Sequence, residues 1–537
     1  MMIRVGILGS DPSWRLLLRQ EGVPHSPVSG GASHTDFSAM VVSGGAGAPE
    51  LDILRSFLSR GGSVLCPGSV FARISGTQAK RRFTRYVLGD RAPHLFPPDL
   101  TDLFAECDIP SQANSLETDS GVPSAYAGEF GGGHLVVLPF DPSALALDRR
   151  VASKSFYAGR KRLPFERVSL VSKGGLLKIV SRALTILHHR RGLPYVHQWY
   201  YPSNLQSLFS LRIDTDYANR AELEELRDLA RRSNVPLTWF VDVGSQKDLL
   251  PLFREMAGGK DEVGIHCYHH RAFPDPEAHA GDVRSALREF ESAGLTARSY
   301  AAPYGQWDES HGETIEQFRF VYSSEFSYDY DNIPSYPYLR GGFSSTLQVP
   351  VHPVSIGSLR RQGFGEKEMT AYFRAVIERK IQAREPVFLY HHPKNGHAAV
   401  LEAMLGYVRE RGLQPVRLID YASWWKLREC EGWRISVEGS TLGVEIPAGS
   451  VHQGLAPEEV ISGPSPFGAA NPLIHIIRQD GMEAFTGPDR SLKFGDLKWE
   501  STAAWPPLPA DIGRIRKFNP WIPIIRTQDK LTKLFKA

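Results

Sequence analysis

Leu-Arg-Ile-Asp-Thr-Asp-Tyr at residues 211–217 joins an apolar run to two carboxylates. The run from Ser207 to Ile213 carries β-branched and aromatic residues, and a polar helical run follows the acids. That pattern is a strand ending in acids, then a helix. In α/β proteins chemistry gathers at the carboxyl ends of strands. Strand side chains alternate faces, so Arg212, Asp214 and Asp216 share one side. A structural ion cluster gives the same local pattern, so ligands converging from elsewhere are needed to separate the two.

The chain supplies them. Pro236 to Val243 and Glu262 to Ile265 read as the next strands, with helices at Ala221–Arg231 and Gln246–Met256 between them. The second strand runs into His266-Cys267-Tyr268-His269-His270. An H-x-x-x-H spacing puts both imidazoles on one side of a helical turn or tight loop. Taken alone it also fits two solvent-facing histidines. It lies about fifty residues after the two acids, at another strand tip of one parallel barrel. Asp216, His266 and His270 then converge, a ligand set that suits zinc or another borderline divalent ion. Asp214 remains beside the metal, where a general base belongs.

Residues 206–428 resemble the polysaccharide deacetylases of the NodB-homology type, carbohydrate esterase family four. Asp214-Thr215-Asp216 matches the family's D-x-D, and His266–His270 its H-[ST]-x-x-H with Cys267 in the hydroxyl place. Ala301-Ala302-Pro303-Tyr304-Gly305 matches R-x-P-Y-G, Ser323–Asp331 the acid-rich fourth region, and Leu389-Tyr390-His391 the L-x-H. The resemblance implies a distorted (β/α) barrel and metal-dependent hydrolysis of an N-acetyl group on a sugar. It assigns Asp214 as general base, and Asp216, His266 and His270 to the metal, with Zn2+ the expected ion. It gives the Tyr304 backbone N–H to the oxyanion and makes His391 the general acid. His392 competes for that last role, because alternation points the two histidines opposite ways.

Two departures stand out. Ala301 occupies the place of a family arginine that pairs with the base. Arg212, two residues before Asp214 on the same strand face, is the expected replacement; the alternative is a plain barrel ion pair around a weakened site. Cys267 cannot reproduce a strong hydroxyl hydrogen bond. Trp307, Tyr328 and Tyr330 fit either sugar stacking or the core, and His352 either the pocket border or packing. Glu366 to Ala383 reads as an amphipathic helix.

The whole chain has 537 residues, 42% of them hydrophobic and 23% charged, with net charge +3. This is a multidomain globular composition, and it gives no nucleic-acid footprint. Four scattered cysteines (Cys66, Cys107, Cys267, Cys430) argue against a disulfide framework and a cysteine zinc site. The N-terminus is too quickly polar for a secretory signal, and no run of about 18 apolar residues occurs, so a cytoplasmic location is expected.

The fold expected is multidomain α/β. Residues 1–150 alternate strand and helix, implying a parallel, flavodoxin-like sheet that loosely resembles class I glutamine amidotransferases. Val64 and Pro67 compromise a nucleophile elbow at Cys66, so this domain is read as non-catalytic, with Cys66 a small buried hydrophobe. Residues 151–205 form a basic helical connector, with Lys161-Arg162 and a helix ending at His188-His189; those histidines are read as charges near the helix C-terminus. Residues 429–537 read as a small β-sandwich with a basic, apolar tail from Ile512 that suits either a peripheral membrane contact or docking on the protein. The expected partner is an N-acetylated carbohydrate. The rival readings are a metal-dependent amidohydrolase on a small non-sugar amide, and a catalytically silent carbohydrate-binding or scaffold protein.

Overall fold

A computed structural model of the chain describes residues 1–28, 35–89, 95–159, 163–273, 275–429, 432–445, 467, 473–487, 490–502 and 504. Lys161-Arg162, Cys430 and the tail from Ile512 lie outside them. The fold is mixed α/β and falls into two compact units. One contains Met1–Asp148, Leu170–Leu205 and the described residues from Trp424 onward; the other contains Arg149–Ser169 and Gln206–Ser423.

The first unit is built on a nine-stranded sheet. His25–Pro27, Val5–Leu8, Ala39–Val42, Ser63–Pro67 and Gly133–Leu138 run parallel in that order. The expected parallel sheet covers only this half. Pro123–Phe130, Ser115–Thr118, Lys80–Leu88 and Leu100–Ile109 extend it with antiparallel pairing. Lys80–Leu88 mixes four cations with a few apolar positions and is exposed along its first half, so it carries little strand signal. Cys66 is fully buried in its strand, and burial pushes its thiol up.

The helix Lys173–Arg190 belongs to this unit. His188 is buried, with Nδ1 2.7 Å from the Leu184 carbonyl oxygen and Nε2 2.8 Å from Ser38 Oγ, and burial lowers its pKa to about 4. It is therefore a neutral core histidine rather than a charge at a helix end. Val151–Ser155 and Phe165–Ser169, expected as part of a helical connector, form an antiparallel pair.

The C-terminal strands form two small antiparallel sheets. Arg434–Glu438, Thr441–Glu445 and Arg490–Lys493 make one; Tyr195–Gln198, Ile474–Ile477, Met482–Thr486 and Glu500–Ser501 make the other. Ile3, Val196, Trp433, Ile435, Leu442 and Ile474 share one buried cluster. The β-rich segment thus draws strand Tyr195–Gln198 and Ile3 into its core.

The second unit carries a curled parallel sheet. Its order is Leu347–Gln348, Tyr322–Ser323, Ser299–Tyr300, Glu262–Cys267, Leu237–Asp242, Leu208–Asp214, Val387–His391, with Gln414–Pro415 also beside Leu208. Every pairing is parallel. Leu208–Asp214 is buried on both faces, which is why its apolar run is continuous rather than alternating. The two ends of the sheet do not pair as strands; the His352 N–H donates to the Phe388 carbonyl at 2.8 Å across the gap. The result is a half-barrel rather than a closed barrel. Helices follow the strands. Arg220–Arg232 starts at a capping box in which Asn219 Oδ1 accepts the Glu222 N–H and Glu222 accepts the Asn219 N–H. It buries Leu223, Leu226 and Leu229. Pro276–Ser292 starts at an Asp275 cap, and Glu366–Gln382 buries Met369, Tyr372, Phe373, Val376 and Ile377. The short strand Gln414–Pro415 is followed by a helix that starts at Leu418.

Candidate metal centre

The site forms where Leu208–Asp214, Glu262–Cys267 and Val387–His391 end. Asp216 Oδ1 lies 3.1 Å from His266 Nε2 and 3.2 Å from His270 Nε2. These three side chains are the group of His, Cys, Asp and Glu ligand atoms, among the described residues, close enough to hold one metal ion. His266 Nδ1 is 2.6 Å from the Ala301 carbonyl oxygen. With Nδ1 donating there, the Nε2 lone pair faces Asp216, the orientation a ligand imidazole requires.

The short approaches between these groups are not hydrogen bonds. Asp216 Oδ1 and His270 Nε2 are buried without a partner of acceptable geometry. Buried polar atoms left this way cost about 1–3 kcal/mol each. A cation at the common focus of one carboxylate oxygen and two imidazole nitrogens would satisfy all three, so the residues present fit a divalent ion. Burial would raise the Asp216 carboxyl, but His392, His266 and His270 outweigh it and hold it well below the usual carboxylate range.

Asp214 is buried beside this cluster. Arg212 donates from Nε to Asp214 Oδ1 and from Nη2 to Oδ2, each at 2.7 Å. Its Nη1 donates to the Ser324 carbonyl and, at 3.1 Å, to Ser324 Oγ. The guanidinium carbon sits 5.3 Å from the Phe240 ring centroid and 5.7 Å from that of Tyr390. Arg212 therefore pairs with Asp214, the acid two residues along its own strand. Against the raising effect of burial, Arg212 and His266 hold Asp214 below its ordinary range.

His391 and His392 take different positions from those expected. The register pairs His391 with Ile213 and Tyr390 with Arg212. Paired residues of a parallel sheet point to the same face, so His391 shares the face of Ile213, away from Asp214. His392 comes to the acids instead, with Nε2 3.5 Å from Asp216 Oδ2. His391 is buried, its Nδ1 has no hydrogen-bond partner, and burial lowers its pKa to about 3. One residue of strand alternation, which motif matching does not register, accounts for the difference.

Tyr304 lies on the turn Pro303–Gly305 with φ 61°, and its ring centroid is 4.9 Å from that of His270. The turn is held from behind: buried Glu325 accepts the Ala302 N–H at 3.0 Å and Gln348 Nε2 at 2.6 Å. Burial raises the Glu325 carboxyl above its usual range despite those bonds and Arg212. Asp282, on the helix Pro276–Ser292, fixes the loop between the two histidine ligands. It accepts the Tyr268 N–H at 2.9 Å, the His269 N–H at 3.0 Å and His269 Nδ1 at 2.8 Å. Cys267 donates only weakly, Sγ to Asp242 Oδ1 at 3.6 Å. Glu325 falls in the acid-rich stretch already noted; Asp282, lying mid-helix, carries no sequence signal.

Trp307, Tyr328 and Tyr330 are core residues, at 4%, 6% and 3% exposure. His352 is likewise buried, between Asp331 and the Tyr372 hydroxyl.

No family model and no curated relative matches the chain. Solved structures do. The chain is similar to a candidate polysaccharide deacetylase from Mycobacterium smegmatis at 17% identity, covering 43% of this chain and 93% of that one, with a TM-score of 0.38. A second candidate polysaccharide deacetylase, from Pseudomonas aeruginosa PAO1, matches at 16% identity over 42% and 93% of the two chains, TM-score 0.36. A family four acetyl xylan esterase from Clostridium thermocellum, in complex with a cobalt ion, matches at 12% over 41% and 91%, TM-score 0.31. The identities are low and the matches leave more than half of this chain uncovered.

Proposed function

We propose that the second unit is a metal-dependent hydrolase that removes the N-acetyl group from an N-acetylated sugar of a polysaccharide or its precursor. The observation that carries this is the convergence of Asp216, His266 and His270 beside an Asp214 clamped by Arg212. A divalent ion in that triad, Zn2+ by the donor set, would polarise the acyl carbonyl and acidify a water.

The chain's own residues supply the rest. Asp214 accepts the proton of the attacking water; each of its oxygens takes one Arg212 N–H and keeps a second lone pair for it. The Tyr304 backbone N–H serves the developing oxyanion. An amine leaves poorly unless protonated, and His392, next to Asp216, is the histidine in place to deliver that proton. Burial lowers its pKa, and the neighbouring Asp216 and Asp214 carboxylates act against that shift. The first unit takes the part of a non-catalytic module, in keeping with the inaccessible Cys66 thiol.

Purified protein treated with chelator and then titrated with Zn2+ should bind one equivalent and release acetate from N-acetylglucosamine oligomers only when loaded. Asp216→Asn should abolish both. Zinc binding with hydrolysis confined to small non-sugar amides would replace the sugar assignment; no binding and no hydrolysis would end the enzyme reading.

A further inference from the structure

Five large apolar side chains are exposed among the described residues, and two of them, Tyr217 at 55% and Tyr304 at 50%, flank one candidate ligand. Their ring centroids lie 5.7 Å and 4.9 Å from that of His270. Both hold a left-handed backbone, φ 55° and 61°, which glycine adopts freely and bulky residues do not. Neither turn is loose. Ala218 N–H donates to the Thr215 carbonyl at 2.7 Å, and Gln246 Nε2 donates to the Ala218 carbonyl at 2.8 Å. Tyr304 Oη donates to the His270 carbonyl at 3.4 Å. Strain maintained in order to expose aromatic faces beside a reactive centre marks a binding surface.

A charge accompanies these rings. Lys394 Nζ lies 5.7 Å from the Tyr217 ring centroid. Lys394 is exposed and has no carboxylate partner among the described residues. Of the acids around these rings, Asp214 is taken by Arg212, Asp242 accepts Ser245 Oγ at 2.7 Å, and Asp216 faces the two histidines of the candidate metal triad. A neutral sugar leaves that ammonium unused, whereas an anionic substituent on a stacked ring would meet it.

We propose that Tyr217, Tyr304 and Lys394 form a subsite for a sugar ring that carries a negatively charged substituent, carboxylate or phosphate, beside its N-acyl group. This rests on the hydrolase reading above and narrows its substrate class.

Calorimetry of the full-length zinc-loaded protein tests it with N-acetylglucosamine 1-phosphate, an N-acetylated hexosaminuronate and neutral N-acetylglucosamine. At least one anionic sugar should bind tenfold or more tighter than the neutral one, and the two anionic arms tell phosphate from carboxylate. Lys394→Met should erase the preference and Lys394→Arg should keep it. Tyr217→Gly should weaken binding at least tenfold without lowering the melting temperature, since glycine relieves the backbone. Equal affinities in the wild type, a preference that survives Lys394→Met, or full binding by Tyr217→Gly would overturn the subsite. Anionic preference without acetate release would retain the subsite and remove the hydrolase; acetate release from neutral oligomers without preference would do the reverse.

Discussion

Arg212 grips both carboxylate oxygens of Asp214 from two positions earlier on the same strand, with both contacts at 2.7 Å. The pair is fully buried, so removing one partner strands the other charge. Such losses cost about 3–5 kcal/mol, where an exposed pair would cost little. Arg212→Ala should therefore unfold at lower denaturant concentration and lose most acetate release. Lysine lacks the fork, and Arg212→Lys should recover stability only in part. If the guanidinium stands in for the side chain missing at residue 301, Ala301→Arg should restore activity to Arg212→Ala. Failure of that rescue in a protein that folds would sink the equivalence.

His392 and His391 give a clean contrast. His392→Ala should lower kcat by about 10²–10⁴, the usual worth of a general acid. His391→Leu replaces a buried imidazole whose Nδ1 has no partner, so its effect on kcat should be small and its stability close to wild type. Steady-state kinetics on both variants decide the assignment; a larger kcat loss in His391→Leu would reverse it.

Asp282 touches no reacting atom and acts through the loop it ties down. Asp282→Ala should weaken metal affinity about 10–100-fold, as loss of supporting hydrogen bonds around a metal does. Competition against a chromophoric chelator measures this directly. A merely structural helix residue would lower the melting temperature and leave the affinity of the folded fraction unchanged.

Acid stability should depend on Asp331. Burial would raise its carboxyl, but His352 and Lys380, the latter with Nζ at 2.8 Å, hold it far below the ordinary value. A carboxyl depressed in the folded state stabilises above its unfolded pKa of about 3.9, and that contribution fades as pH falls below it. The stability gap between wild type and Asp331→Asn should be widest near neutrality and narrow from about pH 4 downward. Urea midpoints at pH 7 and pH 3 test it; a gap that widens in acid would show that another group is responsible.

The strand tip at Asp214–Asp216 and the histidine pair were legible because each is local: period, spacing and residue type stand within a few positions. The Arg212 contact was legible for the same reason, since two residues along one strand share a face. His392 was legible as a rival to His391, but the choice between them depends on where Val387–His391 registers against Leu208–Asp214, a pairing across most of the unit. Glu325 and Asp282 act through backbone N–H groups on other elements, and no side-chain motif records a backbone acceptor. In the first unit, charged residues along Lys80–Leu88 hid an antiparallel half-sheet, while the apolar Ala39–Val42 showed itself. The strand Tyr195–Gln198 was lost among aromatic neighbours whose partner, Ile474–Ile477, lies far along the chain.

Ile3 donates its N–H to the Ile435 carbonyl at 2.8 Å and is buried with Ile474 and Ile476. Every described strand of the half-barrel lies between residues 208 and 415, so all of these strands are made long before those C-terminal partners exist. At about 5–20 residues per second, a ribosome needs on the order of half a minute to pass from Ile3 to Ile476. During that interval the early strands wait with an apolar edge unfilled while the half-barrel can finish. A chain interrupted near residue 430 would therefore hold every described strand of the half-barrel while its first unit still lacked the partners of Ile3.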